Sequence, residues 1–239
     1  MKKFTITIIL FFIAQITAHA HYLWVDTAKD GKIGVEQNVK IHYGEYTYGA
    51  IEEVNKEAFT AVSKFTLWLI HPNGKKEKLN SLAKENHYLA TFIPAENGVY
   101  TLALDNNNID VIDYTAYDFG IFKTHYHSTA NVQVGNTVND ITETNKEGLI
   151  IKELPSQNQE ISLQVLYKGK PLAKNEVQVY VADQWSKELE TDENGMVTFK
   201  MPWSTKYILE TTTNEDVPGN YNGEKYEFVW HCATYCINN

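Results

Sequence analysis

Along the chain, apolar and β-branched residues come in short runs separated by glycine, asparagine and proline. The runs cover residues 35–43, 65–70, 88–92, 99–104, 119–123, 128–134, 161–167, 176–182, 196–201, 207–212 and 226–235. Several alternate, as in Val177, Val179 and Val181, which turns one face inward on an extended strand. The breaks carry turn chemistry: His71-Pro72-Asn73-Gly74, Pro94 to Gly98, Lys168-Gly169 and Asn194-Gly195, with glycine where positive φ is needed. Helical spacing is confined to residues 49–61, where Ile51, Val54 and Ala58 would give a turn or two. Regular short strands with such turns predict an all-β fold built as two tandem immunoglobulin-like β-sandwiches. We place them at residues 21–150 and 160–239, with a polar, proline-bearing boundary near residues 148–159. A weak internal echo supports two similar units. Residues 92–94 lead into Gly98-Val99-Tyr100, and residues 199–202 lead into Lys206-Tyr207-Ile208.

The first twenty residues break this pattern. Lys2 and Lys3 precede an unbroken apolar stretch around residues 8–13, and Ala18-His19-Ala20 supplies small residues at both recognition positions of a cut. This predicts a cleavable export signal and a periplasmic or secreted protein. The apolar stretch is too short to span a bilayer, and no later segment reaches the roughly 18 apolar residues a span needs. The mature protein is therefore expected not to be membrane-embedded. Cleavage removes two lysines and no acid, taking the formal charge from −9 to −11. Such acidity repels phosphate backbones and attracts cations, so nucleic acid is not expected as a partner. Cys232 and Cys236 are four apart, about 13 Å on an extended strand, whereas a disulfide needs Cα atoms within about 7 Å. They are bridged across a local turn, or remain free or intermolecular thiols.

Cleavage after Ala20 would make His21 the first residue, offering an α-amine and imidazole Nδ1 that close a chelate ring on one cation. Such nitrogens suit Cu(II), Ni(II) and Zn(II). Both must shed protons to bind, so affinity should fall as pH drops below neutrality. His125 and His127 are an i, i+2 pair, which on a strand share a face and flank one point. His42, beside Glu45, is a further candidate from a neighbouring strand. Residues 105–110 superficially resemble a calcium loop but lack its glycine and terminal glutamate, and read as a solvated turn. His231 next to Cys232 reads as buried structure or a soft-metal donor. No nucleophile elbow, P-loop, dinucleotide fingerprint or His-Glu-x-x-His motif occurs, and no enzyme is expected.

Residues 164–211, with Gly169-Lys170-Pro171-Leu172-Ala173 followed by Thr191-Asp192-Glu193-Asn194-Gly195, resemble the prealbumin-like or carboxypeptidase-regulatory-like sandwich. The whole mature chain resembles periplasmic proteins described as nickel/cobalt transport components, a family long held to be of unknown function. The likeness rests on His21-Tyr22-Leu23-Trp24-Val25 after the cut, Gly44-Glu45, His71-Pro72-Asn73-Gly74, and residues 166–173. It implies an immunoglobulin-like fold and a metal ion (nickel, cobalt or copper) presented to an inner-membrane transporter. Combined with the residue reading, it predicts ligands His21, His125 and His127, with His42 beside them. Two alternatives remain open: a non-enzymatic glycan- or protein-binding module using Trp24, Trp185 and Trp203, and a copper histidine-brace oxidase.

Overall fold

A computed structural model describes residues 21–139, 144–155 and 160–239, and within them the chain is nearly all β. The expected export signal lies outside the described residues. The main strands are β1 (Tyr22–Thr27), β2 (Gln37–Glu45), β3 (Thr66–Ile70), β4 (Lys76–Leu79), β5 (Tyr88–Phe92), β6 (Gly98–Asn106) and β7 (Gly120–Val134). After them come β8 (Leu149–Leu154), β9 (Glu160–Tyr167), β10 (Glu176–Val181), β11 (Trp185–Glu190), β12 (Met196–Lys200), β13 (Lys206–Glu215) and β14 (Phe228–Asn238). The expected helical stretch yields one short helix, Glu57–Ala61. Part of the stretch read as a domain boundary is strand β8.

Among the described residues the strands form three larger sheets and a two-stranded ribbon, Gly219–Tyr221 with Glu224–Tyr226. One runs β1-β2-β5, extended by Leu82–Ala83, with Ala50–Ile51 on β2. A long central sheet runs β11-β10-β13-β14-β7-β6-β3-β4. A third joins β8 to β9 and β9 to β12. The central sheet crosses from the first half of the chain to the second through β14, which pairs parallel with β7 and antiparallel with β13.

Alternation along β14 fixes which face each half uses. Cys232 and Cys236 point into a first core shared with Leu23, Trp24, Ile41, Leu69, Leu102, Tyr126 and Val132. Ala233, Tyr235 and Ile237 point into a second core with Leu163, Val165, Val179, Phe199 and Leu209. The two cores thus lie on opposite faces of one sheet. Both cysteines are buried free thiols on the extended strand, which settles the open disulfide question.

The echo has a structural basis. The Tyr100 hydroxyl accepts from the Glu96 amide at 3.0 Å and donates to the Glu96 carbonyl at 3.1 Å. Tyr207 does the same with Trp203, four residues upstream, at 3.0 and 3.2 Å. Each half therefore carries a tyrosine whose hydroxyl is tied to the backbone four residues upstream.

Glu210 lies within the first core, where the Cys232 thiol faces its carboxylate at 3.4 Å. Burial pushes its pKa up to about 7. The folded state thus holds a proton that the unfolded chain releases near pH 4.5, and the resulting penalty grows as pH rises from there to about 7. Glu210→Gln should remove that penalty, stabilising the protein by about 3 kcal/mol at pH 8 and little at pH 4. Thermal melts across this range check it; parallel pH profiles for the two proteins would refute the assignment.

Candidate metal centre at His21

His21 stands immediately before β1 and is held at both ends of its ring. Nδ1 lies 3.1 Å from Glu45 Oε1, and Nε2 lies 3.0 Å from Glu52 Oε1. Its carbonyl accepts from the Tyr126 hydroxyl at 3.0 Å, and the Tyr43 ring packs against its imidazole at 5.4 Å. His21 is therefore fixed on the first-core face of the central sheet.

The local sequence explains this clasp. β1 pairs with β2 in a register that sets Tyr22 against Gly44. Gly44 has φ +144, and a Cβ there would stand 2.2 Å from the Ala50 carbonyl oxygen. Only glycine lets residues 50–51 fold back onto β2 so closely. That return places the Glu52 amide 2.9 Å from the Tyr43 carbonyl and brings the Glu52 side chain over His21. The Gly44-Glu45 pair noted in the sequence thus has two jobs, admitting the returning strand and supplying a carboxylate.

The expected four-histidine grouping is not assembled. His125 and His127 share one face of β7, but Tyr126 between them points to His21 from the other face. The pair therefore lies across the sheet from His21. A strand's two-residue period puts neighbours on opposite sides, and the sequence alone does not say which side meets β1. His42 is also elsewhere. It follows Ile41 and precedes Tyr43 on β2, and stacks on Trp24 at 5.1 Å, with Nδ1 3.3 Å from the Asn86 carbonyl. Burial holds its pKa down to about 4. Among the described residues, no three or more His, Cys, Asp or Glu form a ready metal-holding group.

His125 and His127 join His231 on the second-core face. His125 Nε2 is 2.8 Å from Asp105 Oδ1, His127 Nε2 is 2.7 Å from Thr144 Oγ1, and His231 Nε2 is 3.2 Å from Glu215 Oε2. Asp105, read as part of a solvated turn, is the penultimate residue of β6 and orients His125. Desolvation is the largest single effect on its pKa and raises it, but the hydrogen bond from His125 and the charges of His125, His127 and Lys76 together outweigh it, and the net shift is downward. Burial depresses His127 to about 3 and His231 to about 4.

Of the tryptophans proposed for ligand contact, Trp24 is buried in the first core. Trp185 and Trp203 form an edge-to-face pair at 5.0 Å, with Trp203 exposed. Glu52 is the residue that sequence reasoning missed. Its only signal was its place just beyond Gly44 and Gly49, where a tight return brings it back over β2. Among the described residues, no helix is long and apolar enough to cross a membrane.

Comparison with known proteins adds the following. A family model described as a domain of unknown function, DUF4198, matches residues 18–215. Comparison with curated proteins returns no match. Among solved structures, the chain is similar to the crystal structure of a DUF4785 family protein from Legionella pneumophila subsp. pneumophila str. Philadelphia 1. Identity is 13% and the TM-score 0.27, with 79% of this chain and 51% of that one covered. The chain thus spans about half the length of that protein.

Proposed function

The chain belongs to the DUF4198 family, whose description carries no activity, and from that premise we propose that it is a metal-binding protein of the export compartment. In this reading it captures nickel, cobalt or copper at a processed N-terminal His21 and presents the ion to an inner-membrane importer. The observation that carries the proposal is the clasp of His21 between Glu45 and Glu52.

The chemistry of the donors fits. The Glu52 carboxylate beside Nε2 favours a proton there, which leaves the Nδ1 lone pair turned toward Glu45. A lone pair and a carboxylate 3.1 Å apart repel unless a cation, a proton or a metal ion, lies between them. After cleavage at Ala20, the new α-amine belongs to the same residue as Nδ1. Amine, Nδ1 and Glu45 then form a mixed nitrogen and oxygen set suited to borderline divalent ions. Glu52 acts behind them, as a carboxylate behind a metal-bound histidine commonly does, fixing the tautomer and raising ring basicity. The resemblance to nickel/cobalt transport components points the same way.

The test is calorimetric titration of Ni(II) into two proteins: one beginning at His21, and one with a single alanine added before it. The first should bind one ion, and the second at least about 10-fold more weakly, because its amine has become an amide. Equal affinity would refute the role of the N-terminal chelate.

A further inference from the structure

On the other face of the central sheet, the two halves of the chain meet along β7 and β14, and histidines gather at that seam. His125 and His231 are register partners in the parallel pair, with ring centroids 5.3 Å apart. His127 lies two residues along the same face. All three are at most 5% exposed. Each ring has its Nε2 fixed from behind, by Asp105, Thr144 or Glu215. Carboxylates only accept, so His125 and His231 each carry a proton on Nε2, and Nδ1 is the nitrogen through which either ring, when neutral, can bind a cation.

The polar accounting around this spot does not close. Among the described residues six buried side-chain nitrogen or oxygen atoms lack a partner, and three of them are His127 Nδ1, His231 Nδ1 and Asn145 Nδ2. The Asn145 amide is part of the same cluster. A Cβ on Gly148 would stand 2.5 Å from Asn145 Nδ2 and 2.9 Å from the His125 ring, so only glycine fits between them. An unpaired buried polar atom costs about 1–3 kcal/mol, and native proteins fill such places with water or an ion. Imidazoles whose outer nitrogens are tied to carboxylates are the arrangement metal-binding histidines show. Two imidazoles on one tetrahedral ion stand about 5 Å apart between ring centres, given bond lengths of about 2.0–2.1 Å.

We infer that this seam is a second, structural site for a borderline divalent cation such as Zn(II) or Co(II), with His125 and His231 as its side-chain ligands. Asp105 and Glu215 orient the two rings, and solvent completes the coordination beside His127 and Asn145. One ligand comes from each half, so the ion fastens β14 to β7. The site does not depend on the processed N-terminus, and the inference stands apart from the function proposed above.

The experiment uses the chain with one alanine added before His21, which removes the N-terminal chelate. Co(II) is titrated while d–d absorption is recorded, and melting is followed with and without Zn(II). The expected result is one Co(II) per chain with the intense d–d bands of a four-coordinate ion, and a higher melting temperature with Zn(II). His231→Gln should abolish both. Glu215→Gln, which leaves the ligands in place, should weaken binding by about 10- to 100-fold and covers the case in which the first variant fails to fold. If the folded, extended chain takes up no Co(II), or Glu215→Gln binds as tightly as the parent, the cluster holds ordered water only and the inference falls. Binding by the native N-terminus without binding by the extended chain would remove this site and leave the His21 proposal intact.

Discussion

A chain ending at Glu227 should show no cooperative unfolding transition. The lost segment, β14, pairs with β7 from Phe228 to Cys236 and with β13 along nearly its whole length. Both of its faces are buried: Cys232 and Cys236 belong to the first core, and Ala233, Tyr235 and Ile237 to the second. Each large apolar side chain buried is worth about 1.5–3 kcal/mol, and truncation also uncovers their partners and two rows of backbone hydrogen bonds. The sum matches or exceeds the 5–15 kcal/mol that holds a typical domain together. Near-ultraviolet circular dichroism and a denaturant titration check this. A sharp transition with a native spectrum would contradict the claim that one strand organises both halves.

Gly44→Ala should be the most damaging point change near the candidate centre. Its φ of +144 lies where only glycine is at ease, and its Cβ would sit 2.2 Å from backbone oxygen, which has no rotamer to yield. Backbone strain and overpacking together should cost about 3–5 kcal/mol. Gly49→Ala is the matched comparison. Gly49 has φ +68 and open space around its Cβ position, so only the left-handed penalty of about 1–2 kcal/mol applies. Any folded Gly44→Ala protein should also bind metal more weakly, because residues 50–52 carry Glu52 to His21. Equal melting temperatures for the two variants would show that the close return at Ala50 does not shape this site.

These two predictions mark what the sequence did and did not disclose. Most strands were legible because their apolar runs and turn glycines are strong local signals. Gly74, Gly169 and Gly195 all adopt the positive φ their turns demand. Strand β7 was seen as two runs, since Thr124 to His127 interrupts the apolar pattern, yet it is continuous over fifteen residues. Polar edge strands such as Trp185–Glu190 and Lys76–Leu79 left no hydrophobic trace. The parallel pairing of β7 with β14 joins segments about a hundred residues apart, and nothing local encodes it.

The candidate site was half legible for the same reason. His21 was found through the cleavage motif and Glu45 through its glycine neighbour. The His-x-His spacing correctly put His125 and His127 on one face, but which face met His21 depended on sheet packing. Their true companion, His231, looked like part of a cysteine motif because its pairing with His125 is a matter of tertiary register.

The central claim is that export processing creates a metal-binding residue at the chain's head. Native mass spectrometry of the protein purified from the export compartment reads both parts at once. The account predicts a chain beginning at His21 that carries a divalent transition-metal ion, and loses it when the Glu45 carboxylate is replaced by an amide. A mature chain that starts at another residue, or one that starts at His21 and stays metal-free in nickel-, cobalt- and copper-replete medium, would contradict it.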